Sequence, residues 1–417
     1  MFLSKYSYVF QLDEFSNVIF QSYSKKTIII PKKYFCDENL KIEQLPSNVL
    51  SYLLDNYFIF KDVNDEKLYF DKIIIEHTQT LNNELSLIIE TTNACNINCL
   101  FCYQKGWTQS FRTMNFETLH KLLKLIDDFL HKKRIQRVNL SIIGGEPLLN
   151  QIYIPFCNTL KELCKNINIP LKVKINTNGL LLTPEIITLF DNLEVIIPLN
   201  CRNEYGRSIF PKNNQTNIFD SVLSNISTCR SVLNEQRKIV LRYNTNKDNI
   251  NDFEDYLKEI SELKSSYIYV IPEYIFNAKG NTYNNKLKKT EFNRWSQSDA
   301  VLLLKKYNLP LPYKMLPGVN YCKGICKYTF KVYGDGRFSL CNGDEFSTNL
   351  PFLSSINNID EISSIFHDKK IYSPQCLDCR KFFICPNKSP CKKTSKCNVK
   401  NYEMEKYLMT LIKLKRK

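Results

Sequence analysis

No stretch of this 417-residue chain approaches about eighteen consecutive apolar residues, which argues against a membrane-spanning helix. The opening MFLSKYSYVF lacks both a long apolar core and a small-residue cleavage site, so no secretory signal is expected. Acidic side chains are scarce relative to basic ones: 42 against 57 leave a formal charge of +15. That excess suits an acidic peptide or a nucleic acid equally well. No motif interleaving aromatic and basic residues recommends a nucleic acid. With 43% hydrophobic and 12% aromatic residues, an ordered globular protein of two or three domains is expected. The chain reads as cytoplasmic, where thiols stay reduced, so its sixteen cysteines are not read as disulfides.

Eleven of those cysteines fall into two tight groups, which points to metal rather than to scattered core packing. The first group is CNINCLFC, with Cys95, Cys99 and Cys102 in a C-x3-C-x2-C arrangement. It follows LSLIIETT (Leu85 to Thr92), an apolar run that reads as a buried parallel strand. Three thiolates this close suit a soft metal or an iron–sulfur cluster. A cubane has four irons, so three ligands would leave one iron free to bind something else. A zinc knuckle, or three unrelated buried cysteines, remains an alternative for this group alone.

Residues 1–82 read as a small N-terminal α+β domain. SYVFQL, NVIFQSY and KTIIIP are three short strands, and LPSNVLSYLLDNYFIF is a helix with Ser47 or Asn48 as its N-cap. From Leu85 to Pro272, strands and helices alternate, which argues an α/β parallel sheet with helices outside. The strands are LSLIIE, RVNLSII, LKVKINT, LEVIIPL, KIVLRYN and SYIYVIP, six against the eight of a closed barrel. The second ends in Gly144, Gly145, Glu146 and Pro147, where glycines let backbone approach a ligand and Glu146 could hold an ammonium. The third ends in NTNG, Asn176 to Gly179, which is also a common tight turn. After a polar stretch, TEFNRWSQSDAVLLLKKY reads as a helix. The second cysteine group follows: Cys322, Cys326, Cys341, Cys376, Cys379, Cys385, Cys391 and Cys397. Between Cys326 and Cys341, FKVYGDGRFSLC reads as a hairpin.

The spacing of the first group, with Phe101 before its last cysteine, resembles the signature of the radical S-adenosylmethionine (SAM) enzymes. The resemblance implies a partial (β/α)6 TIM-like barrel over residues 83–290. It also implies a 4Fe-4S cluster on Cys95, Cys99 and Cys102 whose open iron chelates SAM, with GGEP and Asn178 contacting SAM. The fourth strand departs from the pattern of related maturases. Its IIPLNCRNEYGR has Pro198 and Asn200 where a Ser and an Asp are common. Arg207, Arg202 and Arg242 are then candidates for the SAM carboxylate, since arginine suits bidentate carboxylate binding. Cys201 in the same loop could touch substrate or simply pack, and Cys157 and Cys164, seven apart, are expected in the core. Tyr205 and Asp344 are weak candidates for a catalytic base.

Residues 291–417 resemble a SPASM iron–sulfur domain, which holds two auxiliary 4Fe-4S clusters. The resemblance assigns Cys322, Cys326, Cys341 and Cys391 to one, and Cys376, Cys379, Cys385 and Cys397 to the other. Two departures stand out: Cys391 comes five residues after Cys385, and Asn342 stands where sulfatase maturases carry an Asp. Together these features resemble the peptide maturases that crosslink ribosomally made precursors, with residues 1–82 binding a leader. A small donor such as flavodoxin or ferredoxin would supply electrons. A sulfatase maturase and a non-catalytic metal-binding adaptor are the competing expectations.

Overall fold

The computed structural model describes residues 1–102, 104, 111–205, 207–212, 217–275, 282–311, 327–339, 350–366, 379–380, 382–384 and 410. The chain divides into two compact units, one of residues 1–81, 316–325 and 369–417, the other of residues 82–315 and 326–368.

In the first unit, strands β1 (Ser7–Gln11), β2 (Ser16–Gln21) and β3 (Thr27–Pro31) form an antiparallel sheet in that order. Its core gathers Ile19 and Ile30 with Leu53 of helix α1 (Ser47–Asp55) and with Phe58. The cap of α1 is Pro46, and no side chain bonds there; Ser47, expected as the cap, is the first helical residue. Pro46 has no side-chain acceptor to offer the first-turn amides, and its ring fixes the φ of −57° at which the chain enters the helix. A second helix, α2 (Val63–Asn82), has no counterpart in the sequence reading. Its Phe70 enters an aromatic cluster with Tyr6, Phe60, Phe382 and Phe383. Phe383 lies edge-on to Tyr6 at 4.8 Å, and Arg380 stacks 4.5 Å over Tyr8 while donating to Ser7 O. The segment around Cys379 therefore completes the hydrophobic core of this unit.

The second unit is built on an eight-stranded sheet. Six strands run parallel: β4 (Glu84–Glu90), β6 (Arg137–Ile143), β7 (Leu171–Asn176), β8 (Leu193–Ile197), β10 (Arg237–Thr245) and β11 (Ile268–Tyr274). The gaps in numbering belong to two short strands, β5 (Ile97–Cys99) and β9 (Ile209–Pro211), which pair only with each other. On the far side of β4, strand β12 (Tyr328–Val332) pairs parallel and turns back as β13 (Phe338–Ser339), giving the order β11-β10-β8-β7-β6-β4-β12-β13. The hairpin expected in the cysteine-rich tail is thus a continuation of the barrel sheet.

Alternation sorts the side chains of this sheet. Leu85, Leu87 and Ile89 of β4, with Val138, Leu140 and Ile142 of β6, join one large core. Helix α3 (Phe116–Lys132) packs there through Leu119, Leu122, Ile126 and Phe129, a helical stripe begun by Asn115, whose side chain accepts from Thr118 N. The opposite face mixes polar pairs with a small apolar cluster: Asn139 donates to Glu84, Lys174 pairs with Glu194 at 2.7 Å and Arg242 with Glu273 at 3.4 Å, while Ile196, Val240 and Ile271 pack together. The expected helix over TEFNRWSQSDAVLLLKKY is two helices, Lys289–Gln297 and Asp299–Lys306, broken at Ser298, whose φ of −117° and ψ of −80° leave the helical region. Among the described residues no helix is long and apolar enough to cross a membrane.

Candidate active site

Strand β4 delivers the chain to the carboxyl end of the sheet, and the first cysteine group begins five residues later. The loop's neck is closed by an isolated antiparallel bridge between Thr92 and Thr113, whose hydroxyls lie 3.0 Å apart. Asn93 N donates to Arg112 O at 3.0 Å, and Arg112 N donates back to Asn93 Oδ1 at 2.9 Å. Strand β5 pairs with β9, setting Cys99 opposite Ile209, and Leu100 N donates to Ser208 O at 2.8 Å. Cys95, Cys99 and Cys102 are all half-buried. Burial pushes the Cys95 thiol up, and the Glu146 and Cys102 charges add to that, while hydrogen bonds from Ile97 N–H and Asn178 pull it back.

The GGEP turn meets this loop directly. Gly145 N donates to Thr92 O at 2.9 Å and Glu146 N to Ala94 O at 2.7 Å. A Cβ on Gly144 would stand 2.3 Å from Thr92 O, and one on Gly145 only 2.2 Å from Ala94 O. The close approach that the two glycines allow is to the backbone of the cysteine loop, where the sequence reading had placed a ligand. Pro147 opens a short 3-10 turn, is buried, and its carbonyl accepts from Thr91 Oγ1 at 3.1 Å.

Glu146 is fully buried. Its carboxylate accepts from Thr177 Oγ1 at 2.7 Å, Asn178 N at 2.6 Å and Leu148 N at 3.1 Å. Burial pushes it up to about 7, against these three hydrogen bonds. Asn178 then closes the circuit: Nδ2 donates to Asn96 Oδ1 at 2.6 Å and lies 3.9 Å from Cys95 Sγ. GGEP, NTNG and the cysteine loop are one hydrogen-bonded assembly across the ends of three strands.

Of the arginines, Arg202 is exposed and committed to Asp220 at 2.6 Å and Glu259 at 3.0 Å. Arg207 is exposed, with its backbone N donating to Glu204 O. Arg242 sits on the polar face of β10 beside Glu273. Asn200, fully buried, accepts from Asn244 N at 2.9 Å and so ties the ends of β8 and β10. Cys201 is buried with Sγ 3.6 Å from Asp252 Oδ2, and burial pushes it up to about 11. Cys157 and Cys164 lie in the main core. Tyr205 is held well above the usual phenol range by burial and by the neighbouring Cys99. The sequence reading missed Glu90, Arg112 and Lys331, a buried charge group at the root of the loop. The one signal was a carboxylate ending an otherwise apolar strand.

Cys322, Cys326, Cys341, Cys376, Cys385, Cys391, Cys397 and Asp344 lie outside the described residues; Cys379 is half-buried in the first unit. Among the described residues, no three His, Cys, Asp or Glu side chains converge as a single ion would require. A cluster makes a different demand, each thiolate binding its own iron.

Comparison with known proteins agrees with this geometry. Residues 89–260 match the Radical SAM superfamily. A GTP 3',8-cyclase of Limosilactobacillus fermentum is 27% identical over 181 residues, 41% of this chain and 50% of that protein. An S-adenosylmethionine-dependent nucleotide dehydratase of Psychrobacter lutiphocae is 23% identical over 218 residues, 47% and 68% of the two chains. The chain spans half the length or less of most of these curated relatives. Among solved structures, anSMEcpe with bound AdoMet superposes with a TM-score of 0.55 at 16% identity, covering 80% of this chain and 97% of its own. SuiB of Streptococcus suis bound to S-adenosylmethionine superposes at 0.51 and 15% identity, covering 93% and 95%. These likenesses show a shared fold. Over residues 89–260, the chain is thus similar to the Radical SAM superfamily.

Proposed function

We propose that this protein is a radical SAM peptide maturase that modifies, and most simply crosslinks, a ribosomally made precursor peptide, for example through a cysteine thioether. One observation carries the reading: the three-cysteine loop is clasped by GGEP and Asn178 at the carboxyl ends of a partial parallel barrel. Cys95, Cys99 and Cys102 would hold a 4Fe-4S cluster, and three ligands fit a cluster that keeps one iron for SAM. Bound there with SAM, the cluster supplies one-electron cleavage of the sulfonium to a 5′-deoxyadenosyl radical that takes hydrogen from substrate.

The chain's own residues orient and shield. Glu146 and Asn178 fix the loop that carries Cys95, and β9 covers its other side against water. Gly144, Gly145, Glu146, Pro147 and Asn178 frame the position proposed for SAM, and Arg207 is left to meet its carboxylate because Arg202 is already paired twice. The N-terminal unit supports a peptide substrate. Its β3 pairs with β2 alone among the described residues and carries an exposed Ile29, an edge that could accept an extended leader as a fourth strand. Two of the structures of like fold carry peptides: SuiB bound to precursor peptide SuiA and anSMEcpe with Kp18Cys peptide. The eight tail cysteines would hold two fully ligated auxiliary 4Fe-4S clusters suited to carrying away the electron left after ring closure. Flavodoxin or ferredoxin would be the donor, in a cytoplasmic setting.

The test is anaerobic reconstitution followed by incubation with SAM, reductant and candidate precursor peptides. Release of 5′-deoxyadenosine with loss of two hydrogen masses per crosslink is expected, and replacing Cys95, Cys99 and Cys102 by Ala should abolish both. SAM cleavage with every peptide mass unchanged would sink the maturase reading. Conversion of a sulfatase Ser or Cys to formylglycine is the second reading, favoured by the likeness to anSMEcpe over 80% of the chain. A triple variant that still captured peptide while the parent never cleaved SAM would instead indicate a non-catalytic adaptor.

A further inference from the structure

Arg242 stands on β10 between Leu241 and Tyr243, both of which join the main core. Alternation therefore turns Arg242 to the opposite face of the sheet, the inside of the partial barrel. Register sets its height. Ile196 of β8 pairs with Asn176 of β7 on one side and with Val240 of β10 on the other. Two positions further along their chains stand Asn178 and Arg242, so the arginine is level with the residue that meets Cys95. Two strand spacings separate them, roughly 10 Å across the sheet.

Two features set this guanidinium apart. Its floor is apolar: Ile196, Val240 and Ile271 are buried together against Tyr269, and Ile271 is the register partner of Arg242. Its pairing is incomplete. Among the described residues Glu273 is its one partner, with Oε2 3.4 Å from Nε, and Nε is buried without a hydrogen bond. Deeper on the same face, Lys174 and Glu194 close to 2.7 Å. The Arg242 and Glu273 side chains are 32% and 36% exposed, so the inner face is open to solvent at this level. The planar fork of a guanidinium matches a carboxylate, and an apolar floor strengthens such a bond. The mechanism proposed above gives Arg242 no part.

We infer that Arg242 is a specificity residue that takes a carboxylate of the substrate peptide, an Asp or Glu side chain, at the level of the cysteine loop. The inference rests on the peptide substrate of the proposed function. Glu273 holds the guanidinium from its Nε side and leaves Nη1 and Nη2 to the peptide. The formal charge of +15 draws acidic peptides to the whole surface. Arg242 supplies a fixed point at which one acidic residue is read.

The test is selection by binding. Full-length protein, anaerobically reconstituted and loaded with SAM, is panned against a displayed library of short random peptides, and the bound sequences are counted. The parent should enrich Asp and Glu over Asn and Gln by about tenfold, the weight of one charge-assisted bond. Arg242→Met should lose this enrichment, and Arg242→Glu should turn it toward Lys and Arg. Glu273→Gln should strengthen it, because the guanidinium is then wholly free for the peptide. Arg242→Met and Glu273→Gln break the same ion pair, so damage to the fold would move both the same way. Lys124→Met removes an equal charge from the exposed side of α3 and should select as the parent does.

A parent without acidic enrichment would overturn the inference. So would enrichment that persists in Arg242→Met, or an equal loss in Lys124→Met. Weakened SAM binding in Arg242→Met, measured by equilibrium dialysis, with peptide selection as in the parent, would overturn it by assigning the guanidinium to SAM. A parent that enriches acidic peptides through Arg242 yet changes the mass of none keeps the inference and sinks the maturase reading instead.

Discussion

Asn178 Nδ2 lies 3.9 Å from Cys95 Sγ while donating at 2.6 Å to Asn96 Oδ1. One side chain at the end of the third barrel strand thereby holds the first cysteine of a loop that leaves the first strand. Asn178→Ala should lose the Asn96 bond, about 1 kcal/mol of stability, and load less iron on reconstitution. Asn178→Asp should load less still, because a carboxylate beside Cys95 opposes its thiolate. Iron and sulfide per chain in the order parent, Ala, Asp is the expected result. Equal loading in all three would remove Asn178 from the loop's support.

Gly145 has no room for a side chain. Its Cβ would lie 2.2 Å from Ala94 O and 2.6 Å from Asn93 O, both backbone atoms. Gly145→Ala should therefore displace the cysteine loop and cost about 1–3 kcal/mol, the range for overpacking. Thermal unfolding and iron uptake should fall together. A variant that unfolds at the parent temperature and binds the parent's iron would show that the loop yields freely.

Phe383 contacts Tyr6, Tyr23 and Phe70 with ring centroids between 4.8 and 5.2 Å apart. Phe383→Ala should cost the first unit about 3 kcal/mol, lowering its unfolding transition in calorimetry. Cleavage in limited proteolysis should then appear between residues 369 and 417. Proteolysis confined to the sites cut in the parent would indicate that the tail segment is held otherwise.

Lys25 ties the same segment down, donating from Nζ to Phe383 O at 2.8 Å and to Ser22 O. Burial pushes its ammonium down to about 8. A base with a depressed folded value binds fewer protons folded than unfolded, so stability rises with pH from about 8 to the ordinary lysine value of 10.5. The gain is at most about 3 kcal/mol, and below pH 8 it is absent. Denaturant unfolding followed from pH 7.5 to 10.5 should show this rise in the parent, and Lys25→Met should flatten it. A parent curve without the rise would mean that the ammonium is better solvated than its surroundings suggest.

Much of the second unit was legible in order. LSLIIE, RVNLSII and LEVIIPL are runs whose branched apolar residues admit few alternatives to buried parallel strands, and all three lie in one sheet. The break at Ser298 was not legible: it falls among Ser296, Ser298 and Asp299, residues that favour caps and turns, but the apolar residues on both sides read as one continuous helix. Nor was α2 of the first unit, whose apolar residues are interspersed with charges until Phe70 finds the aromatic cluster.

By itself the sequence determined the cysteine spacing, the strand and helix periods, and the short glycine turns that end two strands. These are local properties, written in residues a few positions apart. Only the tertiary structure decided that Gly144 and Gly145 face the cysteine loop and that Glu146 spends its carboxylate on Thr177 and Asn178. It alone placed Lys331, 241 positions after Glu90, against that carboxylate in the interior. A charge carries no mark of its partner along the chain. Parallel strand pairing, which aligns Lys331 with Ile88 on the same face as Glu90, is what brings the two together.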